Sequence, residues 1–123
     1  MLPASQERAY QDFLTLLTEF GEVLENTEKI DKNRVKQKFG DLSTWFKLHI
    51  VILDDRNLSP AIASRWQSVQ TEIQREFKLL STDILFLASA RQNSTQQKRI
   101  KSINEHLSKL IGYCQIMLSK DRD

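Results

Sequence analysis

Two histidines and one cysteine are the side chains of this 123-residue chain best suited to chemistry near neutral pH. His49 stands a few residues before Asp54 and Asp55, and an imidazole with two carboxylates could hold a metal ion. Those carboxylates are adjacent in a turn, and the chain lacks the repeated Glu…Glu-x-x-His spacing with which helical bundles hold paired metals, so no metal site is expected. His106 lies between Glu105 and the seam residue Leu107, which predicts a place on the flank or surface of its helix. Cys114 falls on an apolar seam with no basic neighbour to stabilise a thiolate, so it reads as a small buried hydrophobe. Being single, it cannot close an internal disulfide, which points to a reducing compartment. The glycines at 21, 40 and 112 are isolated and build no phosphate-cradling loop. The inward stripes are almost wholly apolar and present no acid–base pair to a pocket. The expectation is a protein without catalytic residues or cofactor.

The elements that would carry these residues are helices, organised around the stretch from Ser59 to Arg91. Ser59 suits an N-cap and Pro60 the first helical position, where the missing N–H is no loss. Ile62, Trp66, Val69, Ile73, Leu80, Ile84 and Leu87 recur at steps of three, four and seven, one face of a helix. Similar stripes run through Tyr10, Phe13, Leu14, Leu17, Phe20 and Leu24, through Val35, Phe39, Leu42, Phe46, Ile50 and Leu53, and through Ile100, Ile103, Leu107, Leu110, Cys114 and Met117. Asp31 is the expected cap of the second helix, and Ser94 with Gln97 has capping-box spacing before the fourth. Three Gly and two Pro leave little turn material for a sheet. The prediction is all-α: an antiparallel four-helix bundle with a long third helix, one domain over 1–123, with helices at about 4–26, 32–53, 60–91 and 95–119. A short loop is expected at 26–30, and a frayed tail at 120–123.

Charge is segregated along the chain. Residues 1–31 hold seven acidic side chains against two basic, 32–53 five basic against one acidic, and 91–123 seven basic against three acidic. An acidic first helix beside basic neighbours accounts for this within the fold; separate faces that steer a partner account for it through function. The run Lys98-Arg99-Ile100-Lys101 lacks interleaved aromatics and a recognition-helix motif, so it reads as a solvated face rather than a nucleic-acid contact. A nucleic-acid-binding regulator using the basic faces of helices two and four is the runner-up reading. Trp45, Leu48, Leu79, Leu85 and Phe86 fit no single inward seam. Either a thick core absorbs them, or they form an exposed patch. Leu79, Leu85 and Phe86 are accordingly the candidate self-association residues of a homodimer. The strongest apolar cluster, 77–88, is broken by Lys78, Ser81, Thr82 and Asp83 and falls well short of the roughly 20 residues of a membrane span. The first residues carry neither a basic leader nor an apolar signal core, so the cytoplasm is the expected location.

Several segments together resemble the PatD family of cyanobacteria. They are Tyr10-Gln11-Asp12-Phe13-Leu14, Pro60-Ala61-Ile62-Ala63-Ser64-Arg65, Gln70-Thr71-Glu72-Ile73, the run Leu79-Leu80-Ser81-Thr82-Asp83-Ile84-Leu85-Phe86-Leu87, Ala90-Arg91 and Leu110-Ile111-Gly112-Tyr113-Cys114. The likeness spans nearly the whole chain and is one of helical pattern with a few polar marks. It implies a small regulator linked to heterocyst frequency that acts by binding the tubulin-like division protein FtsZ and modulating its assembly. The FtsZ proteins are acidic as a family. Opposite charge therefore singles out Arg91, Lys98, Arg99 and Lys101, near the turn between helices three and four, as the partner-steering group.

Overall fold

The computed structural model describes residues 2–25 and 31–119. Among these, four helices form: α1 (Ala4–Glu25), α2 (Lys32–His49), α3 (Pro60–Ser89) and α4 (Asn93–Leu118), with no strand. They make an antiparallel bundle in which each helix packs on its two neighbours in chain order, and α4 closes the ring onto α1. The third helix is the longest, at 30 residues, or roughly 45 Å. No described helix is long and apolar enough to cross a membrane.

The expected stripes supply the core. Tyr10, Phe13 and Leu17 of α1, Ile73 and Leu80 of α3, and Ile103, Leu110 and Cys114 of α4 are completely buried. The two sides of the bundle are built differently. Where α2 meets α1 and α3, phenylalanines interlock: Phe46 stacks on Phe77 at 4.0 Å between ring centroids, and Phe13 lies 5.2 Å from Phe46. Aromatic rings hold helix axes apart, because interaxial distance follows side-chain size. Against α4 the seams are aliphatic, and α1 and α3 approach it more closely.

Long polar side chains tie the two ends. At one end Trp66 Nε1 donates to Tyr10 Oη at 2.9 Å, Tyr10 Oη donates to Gln70 Oε1 at 2.7 Å, and Gln70 Nε2 donates to the Ile50 carbonyl at 2.9 Å. This chain links diagonal helices and gives the Ile50 carbonyl, past the C-terminus of α2, a second donor beside Leu53 N. Burial pushes the Tyr10 phenol well above its usual range. At the other end the Ala90 carbonyl, past the last turn of α3, accepts from Lys32 Nζ and from Gln96 Nε2.

Several boundaries differ from those expected. The second helix stops at His49 rather than 53, because Ile50 to Ile52 form a turn in which Ile50 N and Val51 N both donate to the Phe46 carbonyl. The third ends at Ser89 rather than 91. The fourth begins at Asn93 with Gln92 as its cap residue, so Ser94 lies inside the helix and the expected capping box does not form. Asp31 does cap α2, accepting from Arg34 N at 3.2 Å. Ser59 occupies the cap position of α3 without a side-chain hydrogen bond, and Pro60 follows as expected. Residue 26, the loop at 26–30 and the tail at 120–123 lie outside the described residues.

Candidate functional site

The most concentrated chemistry lies between α3 and α4, where apolar stripes alone were expected. Glu76 and Asp83 are seven residues apart on α3; Arg99, Ser102 and His106 are spaced three and four apart on α4. Both sets fall on one face of their helix. The antiparallel register then sets Glu76 against His106, and Asp83 against Arg99. His106 Nδ1 meets Glu76 Oε2, while its Nε2 lies 2.9 Å from Asp83 Oδ2. Asp83 also accepts from Arg99 Nη1 at 3.0 Å and from the Ser102 hydroxyl. Glu76 is only 1% exposed. A carboxylate that deep is tolerable only when it is paired and hydrogen-bonded.

His106 therefore sits inside the helix interface rather than on the flank or surface. Each of its nitrogens faces a carboxylate, and both contacts are hydrogen bonds only when the ring carries both protons. The imidazole and the Arg99 guanidinium together stand against the two carboxylates. The cluster's hydroxyl, imidazole and carboxylate invite comparison with a nucleophile–base pair, but the connections differ. The Ser102 hydroxyl donates to Asp83, and Nε2, the nitrogen nearest to it at 3.5 Å, is itself turned to Asp83. The serine proton is directed at Asp83 and not at the ring, so the pair is not arranged as nucleophile and base. What this arrangement can do is fix α3 against α4 in one register.

The cluster has a signal in the sequence. Two acids one heptad apart on α3, opposite Arg99, Ser102 and His106 at heptad spacing, are what a polar seam between antiparallel helices requires. Reading each helix for its apolar stripe alone passes over it.

The candidate steering residues separate. Arg91, Lys98 and Lys101 are exposed at the α3–α4 corner and along α4. Arg99 is different: its side chain is 38% exposed, it holds Asp83, and its guanidinium lies over the Phe86 ring at 4.5 Å. Reversing its charge would set a carboxylate against Asp83 and damage the bundle, so Arg99 is not a freely replaceable surface charge.

The candidate association residues also divide. Leu85 is 66% exposed, Phe86 47% and Leu79 40%, so the core of a single chain does not absorb them. Leu79 and Phe86, seven apart, share the edge of α3 near α4, whereas Leu85 stands roughly 100° round the helix from Phe86. Leu48 is exposed as well, while Trp45 is half-buried and stacks on Phe13 and on His49. Asp54, expected near His49 as a metal partner, instead binds Arg56 in two side-chain hydrogen bonds, which hold its carboxyl below the usual range. Cys114 is buried on its seam, and burial pushes its thiol up to about 12. Comparison with protein-family models, with curated proteins and with solved structures finds no match.

Proposed function

We propose that this chain is a non-enzymatic regulator that acts by binding another protein, and that FtsZ is the partner, as the resemblance to the PatD family implies. One observation carries the protein-binding part: large apolar side chains, Leu79, Leu85 and Phe86, stand in solvent on the outer face of α3, beside the exposed cations Arg91, Lys98 and Lys101. Apolar anchors with a charged rim are the usual anatomy of an interface. The cations would speed the encounter with an acidic partner, and the apolar groups would hold it. The Leu79–Phe86 edge is the proposed seat of a homodimer, in which a two-fold axis buries the same patch of both subunits. A nucleic-acid ligand is the weaker reading, because one of the four steering cations, Arg99, is already engaged with Asp83.

Co-sedimentation with assembled FtsZ tests the reading. The chain is expected in the polymer pellet at low salt. Lys98→Glu with Lys101→Glu should reduce the pelleted fraction at low salt and matter less as salt rises, since the screening length is about 10 Å at 0.1 M. Absence from the pellet at low salt would remove FtsZ as the partner.

A further inference from the structure

We propose that the groove between α2 and α3 is a docking site for an acidic amphipathic helix of a partner protein. The inference rests on the protein-binding reading above and adds a second contact surface, on the α2 side of α3, with the chemistry of the segment it takes.

The groove has an open volume of about 450 Å³. Its floor is the stacked pair Phe46 and Phe77. Lys47 of α2 and Arg75 and Lys78 of α3 rise along its walls, and no carboxylate lines it. Arg75 is engaged with Glu72 at 3.3 Å; among the described residues neither Lys47 nor Lys78 has an acidic partner. Apolar surface stands at both ends. Val51 lines the groove at the end of α2 and is 44% exposed; Leu85 continues the stripe of Lys78 and Ser81 toward the other end of α3. A helix with leucine-type anchors on one face and carboxylates beside them matches this pattern of cations between apolar ends, the helix-in-groove mode of recognition.

Gly40 offers a place to test the groove. It shares a stripe with Ser43 and Lys47, both of which line the groove. A side chain built there would meet nothing within 4 Å. Among the described residues nothing crowds a side chain at 40, so a larger residue fits the isolated chain there but would stand beside a helix lying along the Ser43–Lys47 stripe. The companion groove between α1 and α2 lacks this selectivity, since Glu19 of α1 and Asp41 of α2 line it together with Arg34 and Lys38 and the charges balance.

The test uses the full chain and a fluorescent helical peptide of about 18 residues, roughly the length of α2, with leucines at heptad positions flanked by glutamates. Saturable binding at low salt is expected. Lys47→Glu with Lys78→Glu should weaken it at least about tenfold, and Lys98→Glu with Lys101→Glu on α4 less than about twofold. Gly40→Leu should weaken binding at least about tenfold while raising the thermal midpoint, because leucine is the better helix former. Loss of binding with a gain in stability excludes misfolding as the cause. Any of four results overturns the proposal: no saturable binding, equal binding of a peptide with lysine for glutamate, equal loss in the α4 pair, or self-association of the unmodified chain that Gly40→Leu abolishes. FtsZ binding that survives Lys47→Glu with Lys78→Glu would overturn the groove and leave the protein-binding reading standing. Peptide binding without FtsZ binding would remove FtsZ alone.

Discussion

His106 has the most demanding surroundings in the molecule, because removing it leaves Glu76 buried without its hydrogen-bond partner. His106→Leu should therefore destabilise the bundle by about 3–5 kcal/mol, the cost of breaking a buried pair from one side. Glu76→Leu together with His106→Leu removes both charges, leaves Asp83 its bonds to Arg99 and Ser102, and should cost far less than the two single changes added. Urea unfolding of the three variants measures this, and simple additivity would show that the pair is not coupled. Cys114 makes a second residue-scale prediction. Its thiol is raised from an ordinary 9.0 to about 12, so between those values the unfolded chain loses a proton that the native chain keeps. Stability must then fall as pH rises above about 9, and Tyr10, shifted the same way, adds to the fall at higher pH. Cys114→Ala should flatten the lower part of that alkaline limb in a thermal-melt series; an unchanged limb would assign it elsewhere. The sequence showed Cys114 as buried because its whole surrounding stripe is apolar. It did not show Glu76 and Asp83 as buried, because an acid on a helix is ordinarily solvated, and only the opposing polar set on α4 changes that balance.

At the scale of the helix, legibility followed the strength of the repeat. All four helices are visible as apolar stripes, and the long third helix is visible as an uninterrupted run between Pro60 and Ser89. Their ends are less so. The apolar run from Leu48 to Leu53 gives no signal to stop, yet α2 ends at His49, where Gln70 takes the Ile50 carbonyl and the chain turns toward α3. Leu53 N donates to the same carbonyl within the turn, but the Gln70 amide that ties the turn to α3 lies 20 residues away and leaves no local signal. The glycines separate two kinds of helix surface. At Gly21 an added methyl would meet Leu107 Cδ1 at 3.9 Å, an ordinary contact, and at Gly40 it would meet open space. Gly40→Ala should therefore stabilise the isolated chain by about 0.5–1 kcal/mol, through the backbone entropy that glycine loses on folding. Chemical denaturation measures it, and a loss of stability would mean that the α2 backbone at 40 is not the regular helix described here.

For the whole molecule, the division between an aromatic side, built around α2, and an aliphatic side, built around α4, leaves Leu79, Leu85 and Phe86 uncovered on α3, as Leu48, Val51 and Ile52 are at the end of α2 and Ile116 is on α4. The sequence left two alternatives for Leu79, Leu85 and Phe86, a thick core or an exposed patch. Only the packing of α3 between α2 and α4 decides for exposure in a single chain. If Leu79 and Phe86 seat a two-fold dimer, Phe86→Asp should shift the protein toward monomer in sedimentation while helix content is largely kept. A monomer already in the unmodified protein at tens of micromolar would end the dimer proposal. We propose that this bundle works through its surface, on FtsZ, and not through a reaction. Backbone amide NMR of the labelled chain, titrated with purified FtsZ at low salt, tests it most directly. Perturbations are expected along the outer face of α3, in the α2–α3 groove around Lys47 and Lys78, and at the α3–α4 corner around Arg91 and Lys98, with the amides of the buried Ile103 and Leu110 unmoved. No perturbation in excess FtsZ, or perturbations confined to the acidic face of α1 at Glu19 and Glu22, would contradict it.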